Sequence, residues 1–418
     1  MTRTIKSALF LALLTTNIYA HISIDNNDTK RERIHSPRKA IDNLTQFEDK
    51  AVTNVNSFKK MFLETKVSGQ LKALYAPYDY KNKQDTYTTA VGAIIKYELG
   101  EFNGFNAAVS VFTSHDVGIA TGSGSVQNPE ISSSNGSYTE LGEAYLNYVY
   151  EDFNIRLGRQ VIDTPLADSD EIRMNKNSFE AYLLTYNLNG FEFMTGYLNS
   201  WQGYDAGLDD GWVSAGTNGT KLIGVSYDET LEFNAWFYNI TGETDSLYID
   251  GGFAYDFNED FAIHTMVQYL DQKELENSGV ETLIYGGLFE FIAYGVGLNI
   301  AYDKALTQQG KHSFSGLGGG TLFTSMDTMI LDDIIQDEDT DALVYGLTYE
   351  TQNFSFLYAN GDFKNTTYHV KEQDITLEYH VDKDFLIACI YATQEDAKSI
   401  SKTDFDWDRI QLILNYTF

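Results

Sequence analysis

The sequence predicts an all-β chain: a transmembrane antiparallel β-barrel preceded by a short helical segment. Three observations predict it. Apolar and polar residues alternate with a period of two from about residue 67 to the end of the chain. Short and long connections alternate between those segments, and the N-terminus carries an export signal. The composition agrees. Among 418 residues there are four prolines, few enough to leave long ladders of backbone N–H groups intact. The 29 Lys and Arg face 60 Asp and Glu, for a net charge of −31. That excludes nucleic acid as a partner, because phosphate binding needs clustered Lys and Arg. The lone Cys389 excludes an intramolecular disulfide framework and a cysteine-rich metal site.

At the N-terminus, Arg3 and Lys6 precede an apolar run over residues 8–14, and Asn17-Ile18-Tyr19-Ala20 closes on a small residue. Residues 1–20 therefore read as a secretory signal peptide. The run is far short of the roughly 20 residues that a spanning helix needs. Residues 21–66 form a second segment, nearly balanced in charge. Within it Ile41, Leu44, Ala51, Val55, Phe58 and Phe62 fall mostly three and four residues apart, which predicts a helix over about residues 40–63.

Residues 67–418 are the predicted barrel. Over 86–99, Tyr87, Val91, Ala93, Ile95, Tyr97 and Leu99 oppose Thr88, Lys96 and Glu98. After Asp374, Ile375, Leu377, Tyr379 and Val381 oppose Thr376, Glu378 and His380. In the last segment Ile410, Leu412, Leu414, Tyr416 and Phe418 oppose Arg409, Gln411 and Asn415. Such a strand can stand between lipid and water. Roughly 11 residues at about 3.3 Å each, tilted near 40°, cover about 28 Å, one hydrocarbon thickness.

The connections at 99–104, 151–152, 189–190, 229–230, 258–260, 351–353 and 382–384 are short. Those at 116–137, 164–178, 203–216, 304–340 and 395–406 are long. Short turns on one rim and long loops on the other belong to an outer-membrane barrel. Aromatic pairs flank the short turns, among them Tyr97 with Phe105, Tyr150 with Phe153, and Tyr186 with Phe191, as an interfacial girdle would. The count is 18 strands, with 16 left open by an ill-defined turn near 289–293. A soluble secreted all-β binding protein would also alternate. It would need neither the girdle nor the terminal Asn415-Tyr416-Thr417-Phe418.

Particular motifs carry a family resemblance. Gly69-Gln70-Leu71 opens the first strand. Leu141-Gly142-Glu143-Ala144-Tyr145-Leu146 is followed by Leu157-Gly158-Arg159-Gln160, Thr164-Pro165-Leu166, Asp170 with Arg173-Met174, and Phe179-Glu180-Ala181. Gly318-Gly319-Gly320 and Trp407-Asp408-Arg409 complete the order. This succession resembles the OprD-type outer-membrane porins and is similar, within that group, to the major outer-membrane porins of Campylobacter-like bacteria. The resemblance implies an 18-stranded barrel in the bacterial outer membrane. It also implies passive diffusion of ions and small polar solutes, such as amino acids or other small carboxylates. A loop at about 164–178 would fold inward, and a basic ladder on the wall would face acidic loop residues. The terminal aromatics Tyr416 and Phe418 would be read by the assembly machinery. Two positions depart from the pattern: Asn175-Lys176 stands where many relatives carry proline, and Ala181 replaces a common glycine.

By parity Lys72, Lys96, Arg156 and Arg409 point into the lumen. Glu143, Glu232, Glu378 and the loop residues Asp168, Asp170 and Glu171 could supply the acidic side, with Arg173 and Lys176 on the same loop. Arg159 shares the parity of Ile155 and Leu157 and points to lipid. A further acidic run holds Asp327, Asp332, Asp333, Asp337, Glu338, Asp339 and Asp341 without Lys or Arg. Asp337, Asp339 and Asp341 imitate the start of an EF-hand, but Ala342 replaces the required glycine and Thr348 the final glutamate. A loose Ca²⁺ site bridging lipopolysaccharide phosphates is one reading of this run. A solvated loop is the preferred one, since charge runs usually face water. No Gly-x-Ser-x-Gly, His-Glu-x-x-His or phosphate-cradling loop occurs. The enzyme alternative is a barrel hydrolase using a Ser/His pair at the rim; His264 and His380 have lumen parity without an evident partner. Expected partners are outer-membrane lipids and lipopolysaccharide, small solutes and ions, and the assembly machinery. The oligomeric state stays open, a homotrimer included.

Overall fold

A computed structural model describes residues 36, 38, 52–119, 126–169, 173–228, 231–258, 260–398 and 405–418. The signal peptide, most of 21–51, Asp170, Glu171, the turn at 229–230 and the tip of the 395–406 connection lie outside these residues.

Eighteen strands close a barrel. They are β1 (Lys66–Tyr75), β2 (Thr89–Glu98), β3 (Phe105–Asp116), β4 (Ser137–Tyr150), β5 (Phe153–Gln160) and β6 (Ser178–Leu188). Then come β7 (Phe191–Gln202), β8 (Thr220–Asp228), β9 (Leu231–Ile240), β10 (Thr244–Asn258), β11 (Phe261–Glu274) and β12 (Thr282–Ala293). Last are β13 (Val296–Leu306), β14 (Thr340–Glu350), β15 (Phe354–Lys364), β16 (His369–His380), β17 (Phe385–Asp396) and β18 (Trp407–Thr417). Each pairs antiparallel with the next. β18 returns to β1 with Leu71 opposite Tyr416 and Lys72 opposite Asn415, so no edge stays open for aggregation.

The ill-defined turn is Tyr294-Gly295, with φ of 52° and 79°. Two positive φ values make the tight hairpin that matches strand twist, the same geometry as Asn189-Gly190. Tyrosine at the first turn position, where Asn is usual, follows the apolar run Phe291-Ile292-Ala293 and blurs the boundary. The strand count is therefore 18 and not 16.

The outward positions are apolar. Leu71, Ile95, Val109, Leu157, Ile223, Val267, Leu298, Ile300 and Leu412 all stand exposed on the outside, the band that a lipid tail covers. Near the short turns, aromatic rings pack across strands: Phe153 on Tyr186 at 4.3 Å, Phe105 on Tyr148 at 4.4 Å, and Phe191 on Tyr227 at 4.6 Å.

Of the predicted helix, only the part from residue 52 onward can be compared with the structure. Residues 40–51 lie outside the described chain, and over 52–63 only Phe58–Met61 makes a helical turn. Residues before it bond the 99–104 turn instead. Val55 N–H donates to Glu101 O at 2.8 Å, Glu101 N–H to Thr53 O at 2.9 Å, and Gly100 N–H to Met61 O at 3.0 Å. Those groups are satisfied across chains of sequence rather than within a helix, which removes the reason for one.

The core lies inside the barrel. Two long connections, L3 (161–177) and L7 (307–339), enter the lumen. Ile162, Leu166, Leu317, Leu322, Met326, Met329, Leu331 and Ile334 from these loops pack on Trp236, Tyr238, Tyr248, Ile284, Val344 and Phe363 of the wall. The two loops also bond each other: Leu317 N–H donates to Leu166 O and Asp168 N–H to Leu317 O, both at 2.9 Å.

Candidate pore constriction

The candidate constriction centres on Arg409, which β18 carries on its inward parity. It is 1% exposed. Its guanidinium contacts the Asp327 carboxylate of L7 directly and lies 3.4 Å from Glu130 Oε2 of L2 (117–136). Arg409 Nη1 also donates to the Tyr78 hydroxyl of L1 (76–88) at 2.9 Å. Arg173 of L3 approaches the other Glu130 oxygen at 3.6 Å. It stacks over Tyr204 of L4 (203–219) at 4.9 Å. Lys72 Nζ of β1 donates to the Arg173 carbonyl at 3.1 Å. Three loops, L1, L2 and L7, thus meet on one wall cation, and L3 and L4 join them through Arg173. Burial alone would raise the Glu130 pKa; Arg173, Arg409 and the Tyr78 hydroxyl outweigh it and hold the carboxyl below its ordinary range. Burial first, and then the Glu130 charge, pushes Tyr204 up to about 12.

L7 is latched by carboxylates of β13 and β16. Glu372 accepts from Thr328 N at 2.9 Å, Thr328 Oγ1 at 3.0 Å and Met329 N at 3.0 Å. Asp374 accepts from Asp327 N at 3.0 Å. Asp303 accepts from Thr324 N at 3.1 Å and Thr324 Oγ1 at 2.7 Å. Hydrogen bonds to charged groups are the strong ones. Ser36 and Arg38, from the segment before the barrel, are also buried, and Arg38 N–H donates to Ser325 O of L7 at 3.3 Å.

The wall cations gather in one sector, together with the buried carboxylates Glu98 and Glu143. Lys72, Lys96, Arg156 and Arg409 stand on β1, β2, β5 and β18, whereas Glu232, Glu290, Asp303, Glu372, Asp374 and Glu378 stand on β9–β16. On the basic side Lys96 lies 3.5 Å from Glu143. Tyr145 sits between Lys96 and Arg156, at 5.4 and 4.5 Å from its ring. A β-bulge at Gly142, between the pairs Ser110–Glu143 and Val111–Leu141, turns Glu143 inward. Below L3 a cavity of about 210 Å³ is lined by Arg156, Asp163, Thr185, Glu192 and Met194, among others.

The loop residues named from sequence fall differently. Asp168 is buried at the L3–L7 contact, Lys176 is half-buried on L3, and Asp170 and Glu171 lie outside the described residues. The counter-charges that meet Arg409 come from Glu130 and Asp327. The acidic run is solvated only in part: Asp333, Asp337 and Asp339 are exposed, whereas Asp327 is fully buried, carried inward with the apolar residues of L7. Nor do the EF-hand-like residues converge. Asp337 accepts from Gly310 N at 2.7 Å and Asp339 from Thr307 N at 3.1 Å. Asp341 stands on the outer face of β14 with Lys304 at 3.1 Å and Tyr302. Among the described residues, no group of three or more His, Cys, Asp or Glu is arranged to hold a metal ion. Arg159 packs over Trp212 at 4.5 Å. Tyr416 and Phe418 stack at 6.4 Å on the closing strand.

Sequence reasoning missed Glu130, Asp327, Glu372 and Asp374 as partners of the constriction. One signal was present. Leu322, Phe323, Met326, Met329, Leu331, Ile334 and Ile335 are too apolar for a loop in water, and Ile131 beside Glu130 carries the same message.

No protein-family model matches the chain, and no curated protein matches it in sequence. Solved structures do match in backbone. OccAB3 of Acinetobacter baumannii aligns with a TM-score of 0.71 at 14% identity, covering 85% of this chain and 99% of that one. A BenF-like porin from Pseudomonas fluorescens Pf-5 aligns with a TM-score of 0.73 at 12% identity, over 85% and 99%. OpdK of Pseudomonas aeruginosa, solved with vanillate, gives 0.70 at 13%, again over 85% and 99%. The likeness is one of backbone path, and the chain has the fold of the OprD-type outer-membrane porins, an 18-stranded transmembrane barrel.

Proposed function

We propose that the protein is an outer-membrane porin through which ions and small polar solutes, amino acids or other small carboxylates among them, diffuse passively. The observation that carries this reading is the charged lumen: a closed barrel with an apolar exterior, entered by L3 and L7, with the wall cations gathered on β1, β2, β5 and β18 and a set of carboxylates on β9–β16. A solute entering between the walls meets a transverse field that orients a zwitterion. Arg156 at the 210 Å³ cavity offers a planar fork for a carboxylate, and a structural neighbour was solved with the aromatic acid vanillate. Catalysis has no part in this reading; His264 faces Glu232 at 3.3 Å on the wall. Outer-membrane lipids and lipopolysaccharide cover the apolar belt, and the assembly machinery reads Tyr416 and Phe418. Native electrophoresis separates a monomer from a homotrimer.

The test is a planar-bilayer recording in asymmetric salt. Stepwise, ohmic conductance is expected, with a reversal potential of cation sign. Phospholipid hydrolysis without channel activity would put the hydrolase reading in its place.

A further inference from the structure

We propose that residues 52–65 form an interfacial anchor that seats on the phospholipid leaflet at the short-turn rim. Phe58, Phe62 and Leu63 would lie at the boundary of headgroups and acyl chains, and Lys59 and Lys60 at anionic headgroups. The proposal rests on the barrel being membrane-embedded and is independent of which solute crosses it.

The segment is held in place on one side. Its three backbone hydrogen bonds to the 99–104 turn fix its course, and Met61, 5% exposed, is the buried side chain of the helical turn. The other side is bare. Phe58, Phe62 and Leu63 are 65%, 51% and 66% exposed, with the two rings edge to face at 5.5 Å. Adjacent large apolar groups left open in this way mark a contact surface.

Two observations commit that surface to lipid. The first is continuity. Residue 66 begins β1, and Val67, Tyr97 and Phe105, beside the same turn, are exposed on the lipid-facing side of the barrel, so the patch extends the belt. The second is charge. In a chain of net charge −31, Lys59 and Lys60 stand together in the turn that carries the aromatics. Basic and aromatic residues side by side suit an anionic interface, where the ring sits at headgroup depth and the ammonium meets phosphate.

The experiment uses the full mature chain in a Cys389→Ser background, with an environment-sensitive fluorophore on Phe62→Cys. The protein is reconstituted into vesicles of phosphatidylethanolamine with phosphatidylglycerol. A blue-shifted emission is expected, quenched by a phospholipid that carries a nitroxide high on its acyl chain, and the shift should shrink with K59E/K60E. Emission that is unshifted and quenched by aqueous iodide would overturn the proposal. A blue shift without nitroxide quenching would overturn it too, since protein would then cover the patch: residues ahead of 52, a second copy or a periplasmic partner. Heat-modifiable mobility shows that each variant has a folded barrel, and conductance reports separately on the channel reading.

Discussion

Arg409 concentrates the electrostatics of this barrel. A buried guanidinium between Glu130 and Asp327 is tolerable because both carboxylates answer it; removing it leaves two negative charges without it. Arg409→Gln should therefore destabilise the loop assembly by about 3–5 kcal/mol, the usual cost of breaking a buried pair from one side. The triple change with Glu130→Gln and Asp327→Asn should recover much of that loss. Urea unfolding in lipid vesicles measures both, and equal loss in single and triple variants would mean that the cluster is not coupled. Glu130 gives a pH dependence of defined sign. Its pKa is depressed in the fold, so its contribution is complete above the unfolded value of 4.5 and is lost as pH falls through the lower folded value. The Glu130 contribution to conductance should therefore change only below about pH 5, and Glu130→Gln should lack that acid step. Identical profiles would assign the response to other carboxylates.

At the scale of elements, L7 packs against the inner wall of the barrel. Its position depends on an apolar face and on the acceptors of Glu372, Asp374 and Asp303. Glu372→Gln alters the acceptor behind three hydrogen bonds from Thr328 and Met329, each worth about 0.5–1.5 kcal/mol. Leu331→Asp attacks the apolar face instead, at a fully buried side chain. Either change should raise single-channel conductance and open-channel noise, while Asp339→Asn at the loop base should do neither. Unchanged conductance in both would place the narrowing in L3 alone.

At the scale of the whole molecule, excess negative charge sets the long-range field. Cation preference should be strongest in dilute salt and fade as screening shortens, to about 3 Å at 1 M. Anion preference at low salt would mean that the wall cations dominate. Closure is the other global property. Phe418 N–H donates to Gly69 O at 3.0 Å and its carbonyl accepts from Gly69 N at 3.2 Å, so the terminal residue belongs to the seam between β18 and β1. Deleting Phe418 should lower the amount of heat-modifiable barrel in cells, and unchanged amounts would contradict a role in closure or assembly.

Sequence by itself determined the barrel. A period of two is local: each outward Leu, Ile or Val and each inward polar residue of a strand such as β18 announces its face without help from the rest of the chain. Turn asymmetry and the aromatic girdle are local too, and so is the parity that puts Lys72, Lys96, Arg156 and Arg409 on the inner wall. Tertiary structure alone decided what meets them. Glu130 and Arg409 are 279 residues apart, and neither loop parity nor charge order says which segment enters the lumen. L7 enters because its apolar side chains find the inner wall and its backbone donors find Glu372, Asp374 and Asp303, contacts that exist only once 18 strands have closed. The segment at 52–63 carries the same lesson in reverse. Its helical spacing is real, but the 99–104 turn offers hydrogen-bond partners that a lone stretch of sequence cannot display.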